Sequence, residues 1–190
     1  MRNQIRAFVA VSLSVAVRAS VDKLIRALKQ EIDGIKWVDT QNLHITLKFL
    51  GDVPMNELHR IIAAVQRGAE TVETFDLEFR GCGVFPNPEQ PRTLWIGCGS
   101  GSKELTILAT ALENELFKLG FPKESRRFSP HLTIGRTKRD ARISDAVSRF
   151  LAEHSEQPFG SSGVDDIIVY SSELTRSGPI YDELATVPLR

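Results

Sequence analysis

Two short stretches of this sequence repeat an arrangement of side chains that can move protons. Residues 43–47 (LHITL) and 130–134 (PHLTI) share the pattern His, apolar, Thr, apolar. Successive side chains of a β-strand point to opposite faces, so each histidine should lie roughly 7 Å from its threonine on one face. The apolar residues on the other face would anchor each strand to a core. Each stretch is therefore predicted to present an imidazole beside a hydroxyl.

Two imidazoles and two hydroxyls that face one cleft suit the opening of a cyclic phosphodiester. In-line attack needs a base on the attacking water and an acid on the leaving oxygen, on opposite sides of phosphorus. His44 and His131 can divide these roles, because an imidazole titrates near neutral pH. The hydroxyls of Thr46 and Thr133 can donate to the non-bridging oxygens as charge builds there. We therefore predict that all four residues are catalytic.

A metal site is the alternative use of the two histidines. Neither stretch contains a second histidine or a carboxylate at the spacing of a zinc motif. We therefore expect neither a metal nor a cofactor. Lys48 has the same strand parity as Thr46, which predicts that Lys48 reaches the cleft and contacts substrate.

The spacing of apolar residues predicts the elements that must position these motifs. Each motif stretch is preceded and followed by a helical pattern, so the chain is interpreted as two similar halves whose lobes face each other. The expected unit is one bilobal domain over residues 1–190, with one motif in each lobe. Strands are predicted over 5–13, 37–38, 43–50, 75–85, 93–98, 130–136, 166–174 and 181–189. Helices are predicted over 19–32, 54–70, 102–119 and 143–154, with Ser102 in a capping box.

Composition bounds the class of protein. The chain has 190 residues, of which 42% are hydrophobic and 25% charged, as in an ordinary globular domain. Basic and acidic residues both number 24, so the broad electrostatic attraction of proteins that coat nucleic acid is missing. If RNA is bound, we expect only its end to be read. Cys82 and Cys98 form no metal motif and are expected to be reduced.

The first residues superficially resemble a secretory signal, because two arginines precede an apolar run over 7–17. Ser12 and Ser14 interrupt that run, and Arg18 follows where a cleavage site would form, so a first strand is favoured. We therefore expect a cytoplasmic protein without a membrane span. The balanced surface charge favours a monomer.

Three segments together carry a resemblance to a known family. They are residues 6–10 (RAFVA), 42–51 (NLHITLKFLG) and 128–136 (FSPHLTIGR). The sequence resembles, nearly end to end, the 2H phosphoesterase superfamily, specifically the RNA 2′,3′-cyclic phosphodiesterases once named 2′-5′ RNA ligases. The resemblance implies an α+β fold with two pseudo-symmetric lobes, each an antiparallel sheet with helices on its outer face, around a central cleft. It also implies metal-independent hydrolysis of a terminal 2′,3′-cyclic phosphate to a 2′-phosphate, with reversible 2′-5′ joining in some members.

The resemblance further implies roles for individual residues. His44 would be the proton donor to the departing O3′, and His131 the acceptor that activates water, although the roles can exchange in the reverse reaction. Arg136 matches an arginine of the family's second motif and would bind phosphate. In a regular strand, however, Arg136 would point away from His131 and Thr133, so a bulge or strand end near Gly135 is required.

Two other functions remain open at this point. The same pair of motifs would serve a phosphodiesterase that acts on another cyclic nucleotide, or on ADP-ribose 1″,2″-cyclic phosphate. A binding module would instead hold RNA 2′-phosphate ends without cleaving them. The presence of both histidines favours the enzyme.

Overall fold

A computed structural model gives the fold of the chain and describes residues 4–138, 144–176 and 178–190. The predicted helix start at Ile143 lies outside these residues. The strands are β1 (Gln4–Val11), β2 (Ile35–Trp37), β3 (Ile45–Pro54), β4 (Phe75–Phe85), β5 (Thr93–Cys98), β6 (His131–Thr137), β7 (Pro158–Val164), β8 (Asp166–Leu174) and β9 (Pro179–Pro188). The helices are α1 (Val15–Glu31), α2 (Leu58–Ala69), α3 (Ser102–Phe117) and α4 (Ser144–His154).

The strands form two antiparallel sheets, which we call the first and the second sheet. The first sheet has the order β3-β1-β8-β9, and the second has the order β2-β6-β5-β4-β7. The predicted α+β class is confirmed, but the interpretation of the chain as two consecutive halves is wrong. Strand β2 joins the second sheet, and the C-terminal hairpin β8-β9 joins the first. Each sheet is thus assembled from segments that are distant in the sequence.

The helices also connect the two sheets, because some of them pack on a sheet other than the one whose strand they follow. Helix α2 packs on β8 and β9 of the first sheet and on α3, which itself contacts β3. Helix α1 follows a strand of the first sheet but packs on β7 and β2 of the second, and α4 packs on β4. The buried side chains of α1 recur at the three- and four-residue spacing of one helical face: Val17, Val21, Leu24, Ile25 and Leu28. Helix α1 therefore connects the two sheets.

Local hydrogen bonds explain where the sequence-based bounds were inaccurate. Helix α1 begins at Val15 rather than Ala19, because the Ser14 hydroxyl accepts from the backbone N–H of Val17 at 3.3 Å. The predicted capping box at Ser102 is wrong, since Gly101 takes the cap position with a φ of 84°.

Strand β7 was not predicted at all. It pairs with β4 through a sequence that contains Gly160 and Gly163 and lacks regular apolar alternation. No helix among the described residues is long and apolar enough to cross a membrane. Cys82 and Cys98 are both free thiols, and burial raises the pKa of each to about 12.

Candidate active site

The first motif places His44 directly before β3, with both ring nitrogens in hydrogen bonds. Its Nδ1 lies 2.7 Å from the carbonyl oxygen of Asn42, which can only accept, so Nδ1 carries the hydrogen. In the neutral ring, Nε2 is then the acceptor and receives a hydrogen bond from the Thr46 hydroxyl at 3.0 Å. The prediction that His44 and Thr46 share a face is confirmed. The hydrogen bond to Asn42 thus orients the ring so that Nε2 faces the threonine.

Aromatic rings enclose the His44 imidazole. The ring centroids of Phe8 and Tyr181 lie 4.9 Å and 5.3 Å from that of His44, and Tyr170 lies at 6.4 Å. This burial lowers the pKa of His44, while the hydrogen bond to Asn42 raises it in part. The positive charges of Arg136 and Arg18 lower it further. The neutral form of His44 is therefore favoured in the free protein.

The second motif repeats the contact of Nδ1 with a backbone carbonyl in the other sheet. His131 is the first residue of β6, and its Nδ1 lies 2.7 Å from the carbonyl oxygen of Ser129, again two residues earlier. Nδ1 is again the donor, which leaves Nε2 available to a substrate. The rings of Phe85 and Trp95 flank His131 at centroid distances of 5.1 Å and 6.4 Å. Both histidines are thus oriented by a backbone carbonyl and fixed by aromatic contacts.

Each motif strand contains an extra residue at the same position, three residues after the histidine. In β3, Thr46 pairs with Ala10 and Lys48 with Val9, so Leu47 has no pairing partner on β1. In β6, the same irregularity leaves Ile134 without a partner on β5, between the pairs Thr133↔Trp95 and Gly135↔Leu94. A bulge of this kind moves the side chains that follow it, as far as the next irregularity, to the opposite face.

The bulge directs Arg136 toward the first motif. The sequence required an irregularity near Gly135, and the bulge at Ile134 confirms that prediction. Arg136 is exposed, and its guanidinium lies close enough to lower the pKa of His44 in the first sheet. Its Nη1 is also 3.4 Å from the Thr93 hydroxyl. A positive charge from the second sheet therefore acts directly on the first motif.

The same device removes Lys48 from the cleft, so the prediction that Lys48 contacts substrate is wrong. Lys48 is only 4% exposed. Its ammonium donates to the carbonyl oxygen of Pro122 at 2.7 Å, to Glu124 at 3.1 Å and to Glu113 at 3.3 Å. The parity argument assumed a regular strand, whereas the bulge at Leu47 turns Lys48 to the other face.

The contacts of Lys48 join the two motif strands. Pro122 and Glu124 belong to the segment that leads into His131, while Lys48 follows His44 on β3. Strands β3 and β6 also lie in direct contact, although they belong to different sheets. These links bring the His44 and His131 strands together.

Two contributions to the surroundings of His44 could not be identified from the sequence. One is Tyr181, which comes from β9. Burial raises the pKa of its hydroxyl, although the positive charges of Arg136 and Arg6 lower it in part. The hydroxyl therefore stays protonated. The Asn42 side chain donates to the carbonyl oxygen of Pro179 at 3.0 Å. In the sequence, Tyr181 and Asn42 are marked only by their proximity to turns. Pairing between distant strands brings them to His44, and the sequence does not display that pairing.

Fold and site together define an α+β protein that holds one His-x-Thr motif in each of two antiparallel sheets. The sequence profile of the 2′-5′ RNA ligase superfamily matches residues 15–176, so the chain belongs to this superfamily. It is 38% identical to an RNA 2′,3′-cyclic phosphodiesterase of Methanothermobacter thermautotrophicus over 95% of this chain and 97% of that protein. It is 40% identical to a protein of the same name from Archaeoglobus fulgidus, over 94% and 97% of the two chains.

Solved structures share the fold. The crystal structure of TT0787 of Thermus thermophilus has a TM-score of 0.82 and 30% identity, and the match covers 98% of both chains. Escherichia coli LigT complexed with 3′-AMP has a TM-score of 0.77 over 98% of both chains. Its identity is 23%, so this likeness supports the architecture alone.

Proposed function

We propose that the chain is an RNA 2′,3′-cyclic phosphodiesterase, which hydrolyses a terminal 2′,3′-cyclic phosphate to a 2′-phosphate. One observation supports this most strongly: two imidazoles, each oriented by a hydrogen bond from Nδ1 to a backbone carbonyl, come from sheets whose motif strands are in contact. This arrangement suits a base and an acid acting on the same phosphorus atom. The names of the relatives support the same substrate.

The proposed reaction transfers one proton at each histidine. His131 Nε2 accepts a proton from water as the water oxygen attacks phosphorus. The bond between phosphorus and O3′ breaks, and His44, protonated on Nε2, gives its proton to O3′. The products are a 2′-phosphomonoester and a free 3′-hydroxyl. The threonine hydroxyls of both motifs donate to the phosphoryl oxygens as their charge increases.

The charges around His44 explain how it can act as the acid. In the free protein its pKa is lowered by burial and by the positive charges of Arg136 and Arg18. A bound cyclic phosphate is an anion, so it offsets the guanidinium charges and favours the protonated imidazole. Arg136, in the second sheet, is well placed to bind that anion because its charge already acts on His44. Substrate binding thus prepares the proton donor.

The proposal extends to the setting of the enzyme. The balanced charge of the chain favours an enzyme that reads the end of an RNA rather than its length. We include in the proposal a monomer that acts in the cytoplasm, as the sequence leads us to expect.

Replacement of each motif histidine tests the assignment. His44→Ala and His131→Ala should each lower turnover of an oligonucleotide 2′,3′-cyclic phosphate by about 10²–10⁴-fold, with an unchanged circular dichroism spectrum. His59→Ala is the matched control, because His59 is exposed on α2 and belongs to neither motif. Wild-type turnover in either motif variant would contradict the proposal. Tight binding of the RNA end without turnover by the wild-type chain would indicate a binding module instead.

A further inference from the structure

Lys36 is an exposed lysine at the centre of β2, an edge strand of the second sheet. Its Cα pairs with that of Arg136 on β6, and Arg136 pairs with Thr93 on β5. Thr93 pairs in turn with Phe85 on β4, whose ring centroid lies 5.1 Å from that of His131. Because paired residues of adjacent strands point to the same face, Lys36 belongs to a row of side chains on the face that carries His131.

The neighbours of Lys36 in β2 support this orientation. A Cβ atom at Gly135, the residue before Arg136, would lie 2.7 Å from Ile35 Cγ2 and 3.1 Å from Trp37 Cε3. Ile35 and Trp37 therefore occupy the face toward which a side chain at Gly135 would point. Since successive side chains of a strand alternate, Lys36 and Arg136 point to the opposite face, which is that of the cleft.

The two cations of this row lack a compensating charge. Cross-strand partners have Cβ atoms about 5 Å apart, and like charges at such positions destabilise a sheet. Within residues 4–138, 144–176 and 178–190, neither Lys36 nor Arg136 forms an ion pair, and the Arg136 guanidinium donates only to the neutral Thr93 hydroxyl at 3.4 Å. The chain has equal numbers of basic and acidic residues, so this local excess is not a consequence of its composition. Anions bound at both cations would remove the repulsion.

The two cations differ in their distance from the reactive imidazole. The charge of Arg136 lowers the pKa of His44, whereas Lys36 is not among the groups that shift it. Lys36 therefore lies farther from the cyclic phosphate, one strand beyond Arg136 at the edge of the sheet. An RNA with a cyclic phosphate ends at that group, so the next anion along the chain is the phosphodiester on the 5′ side of the terminal nucleotide.

We propose that Lys36 binds the phosphodiester group that links the terminal nucleotide of the RNA to the preceding one, an inference that rests on the function proposed above. An ammonium on a flexible stem suits a phosphate that must be reached as a point charge. With the cyclic phosphate on Arg136 and the linking phosphate on Lys36, both charges of the row are neutralised. The site thereby distinguishes an RNA end from a cyclic mononucleotide, which lacks the second phosphate.

The test compares Lys36→Met with the wild-type chain on cytidine 2′,3′-cyclic phosphate and on a cytidine dinucleotide with the same cyclic end. Only the dinucleotide carries the linking phosphodiester. We expect KM for the dinucleotide to rise about fivefold and KM for the mononucleotide to stay within about 1.5-fold of wild type, with kcat within about twofold for both. Lys36→Arg should retain the wild-type KM values. Lys29→Met is the matched control, because Lys29 is exposed in the last turn of α1 and lies outside the row.

A dinucleotide whose linking phosphate is replaced by a neutral methylphosphonate identifies the group that Lys36 contacts. The wild-type KM should rise about fivefold with this analogue, and Lys36→Met should cause no further increase, because the two changes remove the same interaction.

The outcomes separate this inference from the function on which it rests. An equal effect of Lys36→Met on the charged and the neutral dinucleotide would overturn the inference. An unchanged KM for the charged dinucleotide, or an equal rise for the mononucleotide, would overturn it as well. Each of these results leaves wild-type turnover, and with it the proposed function, intact. Absence of wild-type turnover on both substrates would instead refute the proposed function and this inference together.

Discussion

Lys48→Met tests whether the link between the two motif strands stabilises the protein. Methionine keeps the buried hydrophobic stem of Lys48 and removes only the ammonium. Three hydrogen bonds are then lost: to the carbonyl oxygen of Pro122, to Glu124 and to Glu113. Burial alone would raise the pKa of Glu113, but the Glu124 N–H and the Lys48 ammonium lower it. The variant therefore leaves the Glu113 carboxylate without one of the groups that stabilise its charged form.

The exposure of these carboxylates sets the size of the effect. Removal of one partner from a fully buried ion pair costs about 3–5 kcal/mol, because the remaining charge is uncompensated. Here the side chain of Glu113 is 23% exposed and that of Glu124 is 62% exposed, so water can replace part of the interaction. We therefore expect Lys48→Met to lower the free energy of unfolding by about 2 kcal/mol.

Urea-induced unfolding measures this loss directly, and thermal unfolding gives a second reading. For a chain of this length, about 2 kcal/mol corresponds to a fall in Tm of roughly 4–8 °C. Lys118→Met is the matched control, since Lys118 is 64% exposed in its ion pair with Glu115 and should change stability by less than about 0.5 kcal/mol. A loss below about 0.5 kcal/mol for Lys48→Met would contradict this estimate and show that the desolvation cost of the ammonium nearly cancels its three hydrogen bonds, and a gain would show that the cost outweighs them.

Two further variants test the electrostatics of the site. Arg136→Gln removes a positive charge that lowers the pKa of His44, so this pKa should rise in the free protein, as followed by NMR titration of the His44 ring. A constant or lower pKa of His44 would contradict the placement of Arg136. The same variant should also reduce kcat/KM by about 10–100-fold, because the contact of Arg136 with the phosphate is lost. Thr46→Val removes the hydroxyl that lies 3.0 Å from His44 Nε2. Steady-state kinetics should show kcat reduced by about 10²–10³-fold with little change in KM, and an unchanged kcat would remove the proposed role of this hydroxyl.

Local patterns in the sequence were sufficient to find the motif residues and several elements. Strands β4 and β5 begin and end where the periodicity predicts, at 75–85 and 93–98. The shared face of His44 and Thr46 also follows from strand parity alone. Strand bounds and parity depend only on residues that are close together in the sequence, so they can be inferred from it.

Pairing between distant strands could not be inferred in the same way. The composition of the two sheets depends on contacts between segments as far apart as β1 and β8. The bulge at Leu47 illustrates the consequence, since one extra residue reverses the parity of Lys48 and Phe49. The irregularity in β6 was predicted correctly only because the contact with phosphate expected of Arg136 demanded one near Gly135. Parity arguments therefore hold up to the first irregularity and fail beyond it.

The identity of the phosphate product tests the central claim most directly. A dinucleotide with a 2′,3′-cyclic phosphate should be incubated with the wild-type chain and followed by ³¹P NMR. Proton donation by His44 to O3′ predicts that the cyclic resonance is replaced by that of a 2′-phosphomonoester alone. A 3′-phosphomonoester, or a cyclic phosphate that persists at high enzyme concentration, would contradict the proposed chemistry.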